Sequence, residues 1–201
     1  MFDRPGWTAV DRELPHHSAI LQRVNGLVLG TTLRDELLRH LTAALPHEGV
    51  GLLATAWASN ESGGGSQEYG GERVTPDSRL PTPDSFVRAM KFYPGRNVDA
   101  SPSRFTMDPA EVIVALQEID ERGWWLGAIV HSHPHGPAKP STTDLREASY
   151  PDALSVIVSL AEQPACVRAW RLPVGRGRSG GGAAIVEVPV WVEDALPAGE
   201  H

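Results

Sequence analysis

Residues 124–144 read WWLGAIVHSHPHGPAKPSTTD, and the division of that stretch decides the fold. Trp124–Val130 is apolar and follows Gly123, which predicts a strand buried on both faces. It runs directly into His131-Ser-His133. Residues two apart on an extended chain point to the same side, roughly 6–7 Å apart, so His131 and His133 can converge on one ion. Pro134, Gly136, Pro137 and Pro140 then force the chain to turn. Ser141-x-x-Asp144 follows, the pattern of a capping box opening a helix over Thr142–Ala148. The turn can bring Asp144 back to the imidazoles. Two histidines and one carboxylate suit Zn²⁺, with the fourth tetrahedral position left to water. His135 is an alternative third ligand, disfavoured by its place in the turn itself. A His-x-His pair or a capping box alone has an ordinary structural reading; their conjunction points to a metal site.

Working outward, Asn25–Gly30 reads as a short strand. A helix follows, with Thr32 as N-cap, Asp35 three residues on, and Leu33, Leu37, Leu38, Leu41 and Leu45 along one face until Pro46. Val50–Ala58 is apolar on both faces, as a central strand should be, and Gly49 and Gly51 at its start permit close backbone approach. Residues 59–83 form a long Gly- and Pro-containing loop, of the kind that serves as a lid, a binding loop or a disordered insertion. Phe86–Tyr93 is the next strand. Asp108-Pro109-x-Glu111 is a strong helix start, and Gly123 ends that helix. Leu154–Leu160 is a further strand, and Val167–Leu172 with Ala183–Val192 reads as a C-terminal pair. Together these predict an α/β sandwich around one mixed sheet.

Composition narrows the function classes. The 201 residues carry a net charge of −7, so no global positive field draws the chain onto nucleic acid. The single cysteine, Cys166, excludes an internal disulfide framework and a Cys-cluster zinc site. It reads as a buried small hydrophobe. No apolar run approaches the roughly 20 residues of a membrane-spanning helix, and the N-terminus lacks a secretion signal's apolar stretch. A cytoplasmic folded protein with no membrane association is the expectation. The pair His16–His17 reads as a solvated surface feature.

His131-x-His133-Pro134-x6-Ser141-x2-Asp144 resembles, at full spacing, the JAMM motif of the MPN (Mov34/PAD-1) metalloproteases. That family also places a glutamate just before a Gly-Leu-Leu strand, a position that Glu48 takes here ahead of Gly51-Leu52-Leu53. Without the family pattern, Glu48 is not distinguishable from Glu36, Glu111 or Glu118. The stretch from Asn97 to Pro109 is similar to the segment before the family's second helix. The resemblance implies a cytidine-deaminase-like three-layer sandwich, a mixed curved sheet flanked by helices. It implies that His131, His133 and Asp144 bind one catalytic Zn²⁺, that Glu48 is the general base, and that Ser141 donates to the oxyanion. Residues 25–193 would be the metalloprotease domain, with 1–24 as an N-terminal extension, an insertion at about 59–83, and 194–201 as a tail.

Stand-alone prokaryotic members of that family imply a substrate: a ubiquitin-like or sulfur-carrier β-grasp protein, cut after its C-terminal Gly-Gly tail. Such a thin tail can pair with an exposed strand edge. The 59–83 loop is a candidate to order over it, and Arg168, Arg171, Arg176 and Arg178 are candidates to hold an acidic partner. The rival readings are a metal-free MPN scaffold, a RadC-like DNA-associated protein, and a zinc nucleobase deaminase. The complete ligand set weighs against the first. The acidic balance and the lack of a helix-hairpin-helix pattern weigh against the second, and the cysteine count against the third. The oligomeric state, monomer or homodimer, is left open.

Overall fold

A computed structural model of the chain describes residues 24–58, 86–150, 152–173 and 184–193. The N-terminal extension with His16–His17, the 59–83 insertion, Arg176, Arg178 and the C-terminal tail lie outside the described residues. Among the described residues, eight strands form one sheet: β1 (Gly26–Gly30), β2 (Val50–Trp57), β3 (Phe86–Gly95), β4 (Trp125–His133), β5 (Leu154–Ser159), β6 (Cys166–Arg171), β7 (Val186–Val188) and β8 (Val190–Glu193). Three described helices accompany them: α1 (Thr31–Ala43), α2 (Pro109–Glu121) and α3 (Thr142–Glu147). The spatial order is β7-β6-β5-β4-β2-β3-β1-β8. The sheet is mixed, with β4–β5, β1–β3 and β1–β8 parallel and the remaining pairs antiparallel.

β7 and β8 flank a single residue, Pro189, yet occupy opposite edges of this sheet. The sheet must therefore curl until its edges approach, giving a nearly barrel-shaped surface. Two bonds tie the seam: Leu27 N–H to the Pro189 carbonyl at 2.9 Å and Arg171 Nη2 to the Val24 carbonyl at 2.6 Å. The expected single strand over Ala183–Val192 is thus two strands. Proline has no N–H with which to continue a ladder, so only β7 pairs with β6, and β8 crosses to β1.

Alternation along β2 explains its burial on both sides. Leu53 joins Leu27, Leu37, Leu41, Phe92 and Val130 in the core under α1. Leu52 joins Val50, Tyr93, Met107, Ala115 and Ile119 under α2. α2 starts as its sequence dictates, with the Asp108 carboxylate accepting from Ala110 N–H, and Gly123 takes the left-handed φ of +68° just beyond its end. α1 departs from expectation. It begins at Thr31, and the N-cap is Gly30, which has no side chain to offer, in place of the expected Thr32; the Thr31 hydroxyl donates to the Glu193 carbonyl of β8, and Asp35 pairs with Arg34. Among the described residues, no helix is long and apolar enough to cross a membrane.

Candidate metal centre

β4 lies in the middle of the sheet, and both histidines belong to it instead of following it. His131 and His133 face one side. Ser132 faces the other, where its Oγ accepts the Gly49 N–H at 2.8 Å while its own N–H bonds to the Gly49 carbonyl at 3.0 Å. The β2–β4 register pairs Val50 with His131, and the Ser132–Gly49 bonds continue it by one residue, which directs Glu48 towards His133, whose imidazole acts on its carboxylate. Opposed residues of an antiparallel pair share a face. A glutamate 85 positions away in sequence (133 − 48) is thereby delivered to the histidine side. Gly49 is needed for this approach, because a Cβ there would lie 2.9 Å from the Leu41 Cα of α1.

The turn after β4 is anchored by three bonds. His133 Nδ1 donates to the Pro137 carbonyl at 2.8 Å, Ser159 Oγ to the Gly136 carbonyl at 2.7 Å, and Trp170 Nε1 to the Ala138 carbonyl at 3.0 Å. α3 then opens with a complete capping box: Asp144 N–H to Ser141 Oγ at 3.1 Å and Ser141 N–H to Asp144 Oδ2 at 2.6 Å. The box aims Asp144 at the strand. His131 Nε2 lies 3.2 Å from His133 Nε2 and 3.3 Å from Asp144 Oδ1, and His133 Nε2 lies 3.5 Å from Asp144 Oδ2. Ligands about 2.0–2.1 Å from a tetrahedral zinc stand about 3.3–3.4 Å apart, so this donor set fits Zn²⁺. A carbonyl can only accept, so His133 carries its proton on Nδ1 and turns the Nε2 lone pair inward, the arrangement that metal-binding histidines favour. His135 is exposed and outside the cluster.

The two carboxylates of the site are driven in opposite directions. Burial works to raise Asp144, but the adjoining His131 and His133 imidazoles and the Ser141 N–H prevail and hold it well below the usual carboxylate range. Glu48 is 4% exposed, and its Oε2 has no hydrogen-bond partner among the described residues. Burial lifts its pKa to about 7, with His133 lowering and Asp144 raising it. Burial also lowers His131. His133 is raised, the bonds to Asp144 and Pro137 outweighing burial.

A cavity of about 1010 Å³ borders His131 and Asp144, walled by Phe105, Met107, Ile129 and Leu145 among others. A smaller one of about 450 Å³ borders Glu48, beside His47, Arg96 and Asn97. Phe105 stacks on the His131 ring with centroids 4.5 Å apart. Sequence reasoning missed the parts played by Phe105 and Ser132. For Ser132 the signal was available: the residue between two same-face histidines must address the opposite neighbour.

The family model described as prokaryotic homologs of the JAB domain matches residues 31–173. The chain belongs to this family. Among its relatives, a Thermus thermophilus protein named probable TtuB-protein conjugate cleaving protease is 35% identical over 136 residues, 67% of this chain and 68% of that one. The Haloferax volcanii desampylase is 35% identical over 68 residues, 33% of this chain and 49% of its own. The CysO-cysteine peptidase of Mycobacterium tuberculosis is 31% identical over 80 residues, 40% of this chain and 55% of its own. The match therefore spans about half the length of the last two. A solution structure of a Desulfitobacterium hafniense protein superposes with a TM-score of 0.61 at 27% identity, covering 85% of this chain and 95% of that one. In this JAB-domain chain the match includes the histidine pair, the capping box and Glu48, and ends short of β7 and β8.

Proposed function

We propose that this protein is a zinc-dependent peptidase or isopeptidase that hydrolyses the amide bond after the C-terminal Gly-Gly tail of a ubiquitin-like or sulfur-carrier β-grasp protein. The observation that carries the reading is the convergence of His131, His133 and Asp144 at tetrahedral spacing, with Glu48 across the strand pair from His133. The relatives' names support the substrate class, since they describe cleavage of TtuB conjugates and of a CysO–cysteine bond. The net charge of −7 supports a protein substrate over nucleic acid. Residues 25–193 serve as the catalytic domain, layered helix–sheet–helix in the deaminase-like manner, with α1 and α2 on opposite faces. A cytoplasmic setting accords with the substrate class.

His131, His133 and Asp144 would hold the Zn²⁺, which when bound would supply Lewis acidity towards water and a carbonyl. Glu48, with a pKa near neutrality, takes the proton of the attacking water and passes it to the leaving amine. Ser141 Oγ accepts the Asp144 N–H, which leaves its hydroxyl hydrogen to donate to the oxyanion, a contact worth about 2.7–4 kcal/mol in analogous sites. No covalent enzyme intermediate forms. The larger cavity receives the tail, and its apolar wall at Phe105 and Met107 takes the residue preceding the glycines.

The test is incubation of purified protein with β-grasp proteins bearing C-terminal fusions, followed by mass spectrometry. Release of the fusion at the Gly-Gly boundary is expected, with loss of activity in chelator and recovery with Zn²⁺. Glu48→Ala should keep zinc while turnover falls by about 10²–10⁴-fold. Full turnover by that variant refutes the mechanism.

A further inference from the structure

One side-chain amide outside the metal cluster has every hydrogen-bonding position in use. Asn97 Nδ2 donates to the Glu48 carbonyl at 2.9 Å and to the Arg104 carbonyl at 3.0 Å. Its Oδ1 accepts from Thr106 N–H and Asp99 N–H, both at 3.1 Å. Glu48 is gripped a second time, its N–H donating to the Ser101 carbonyl at 2.8 Å. The 97–107 loop thus holds the backbone of Glu48 from both ends, and the same loop lays Phe105 on His131. Glu48 precedes the first residue of β2, so no ladder bond of the strand itself fixes it. Its side-chain Oε2 has no partner among the described residues either.

We propose that Asn97 is the positioning residue for Glu48: by bonding the Glu48 carbonyl while bracing the loop that carries Phe105, it holds the base in register with the histidines. The proposal rests on the reading of Glu48 as general base but is tested partly without it. Asn97→Asp retains size and both acceptor bonds while replacing both donations with oxygen facing oxygen. Asn97→Ala removes all four.

Three measurements decide. The first is amide hydrogen exchange by NMR of the zinc-loaded protein. Asn97→Asp should speed exchange at Glu48 and Gly49 by at least about tenfold, with the β4–β5 amides unchanged. The second is zinc affinity by competition with a chromogenic chelator, expected to stay within about twofold of wild type, because no ligand touches Asn97. The third is turnover of a β-grasp protein with a C-terminal fusion. There Asn97→Asp should lower kcat by about 10–100-fold with KM within about threefold, and should cost less than about twofold more in the Glu48→Gln background. Unchanged exchange at Glu48, losses additive with Glu48→Gln, or a parallel fall in zinc affinity and in protection throughout the sheet each overturn the proposal. If the wild type cleaves no such fusion, the reading of the substrate fails, and exchange and zinc affinity still decide the role of Asn97. In that case Asn97→Ala must reproduce the faster exchange at Glu48 for the proposal to stand.

Discussion

The site is built from two regions assembled by different means. The segment 131–144 constructs its part locally: a strand sets two imidazoles side by side, a proline-rich turn reverses the chain, and a capping box returns Asp144 to them. The Glu48 region is assembled at long range, by the β2–β4 register, by Ser132 across 83 positions of sequence, and by the 97–107 loop. The electrostatics divide the same way. Asp144 sits among donors that favour its charge, whereas Glu48 is buried with an oxygen unsatisfied. On the proposed reading, the local region grips a cation, and the distant one keeps a carboxylate reactive at a cost in stability.

The largest expected effect comes from breaking the local region. Asp144→Ala removes a ligand and the acceptor of the Ser141 N–H together. Zinc affinity should fall by more than about 100-fold, since even supporting residues of metal sites cost 10–100-fold, and folding should weaken by about 1 kcal/mol through the lost cap. Asp144→Asn restores an acceptor for Ser141 but not the charge, so it should recover the cap term alone. Chelator competition and urea denaturation separate the two. If Asp144→Ala holds zinc normally while Glu48→Ala does not, the division of labour between the regions is inverted.

The next effect sharpens the contrast through pH. Glu48 rises from 4.5 to about 7 on folding, so between those values the folded state keeps a proton that the unfolded chain has released. Stability falls as pH rises through that window, by about 3 kcal/mol in all at roughly 1.4 kcal/mol per unit. With Glu48 4% exposed, solvent screening takes little from that figure. Metal-free Glu48→Gln should therefore be more stable than wild type by up to about 3 kcal/mol above pH 7, the gap closing towards pH 4.5. Asp144 has the opposite sign: its lowered pKa stabilises the fold above about 3.8, and that contribution fades as pH falls. Denaturation series in chelator across about pH 2–8 check both, the Glu48 effect between pH 4.5 and 7 and the Asp144 effect below about 3.8; a Glu48 gap that widens on acidification contradicts the assignment.

This split between near and far also governs what could be read from the sequence. The strand, the turn and the capping box follow from period-two alternation, proline and short-range side-chain bonding, so 131–144 was legible as a unit, and Asp108 announced α2 for the same reason. Glu48 was legible only through resemblance to a family, because its burial depends on a register that residues 48–53 do not encode. Glu111 and Glu118 look equivalent in sequence; in the fold the first accepts the Arg96 N–H and the second pairs with Lys91 and Arg122. The start of α1 also escaped: the helix begins at Thr31 behind Gly30, not after Thr32, and Thr31 is bonded to a carbonyl 162 positions away. The strand break at Pro189 was visible as a proline, but its consequence, two strands on opposite edges, is a property of the closing sheet.

Ser132 offers a smaller perturbation of the distant region. Ser132→Ala leaves the buried Gly49 N–H without its acceptor, which should cost about 1–3 kcal/mol. The histidines on the other side of the strand are untouched, so zinc affinity should hold within a few-fold while turnover drops further than affinity. A loss of zinc equal to the loss of turnover would instead make Ser132 a general support of β4.

The smallest effect belongs to the loop that carries Asn97. Ala100, in the turn closed by its N–H to the Asn97 carbonyl, has φ of +45° and is the one non-glycine with positive φ among the described residues. An L-residue held there costs roughly 1–2 kcal/mol, while glycine gives back about 0.5–1 kcal/mol through its freer unfolded chain. Ala100→Gly should accordingly stabilise the protein by about 0.5 kcal/mol, a rise in Tm of no more than a few degrees at this chain length. The local region contains no such residue among those described, so left-handed backbone, like the unsatisfied carboxylate, falls in the half of the site assembled at long range, while the local half carries one buried atom without a hydrogen-bond partner among the described residues, His131 Nδ1. Calorimetry of Ala100→Gly beside wild type checks the sign, and a fall in Tm would mean that the loop's own hydrogen bonds, not the backbone at Ala100, limit its stability.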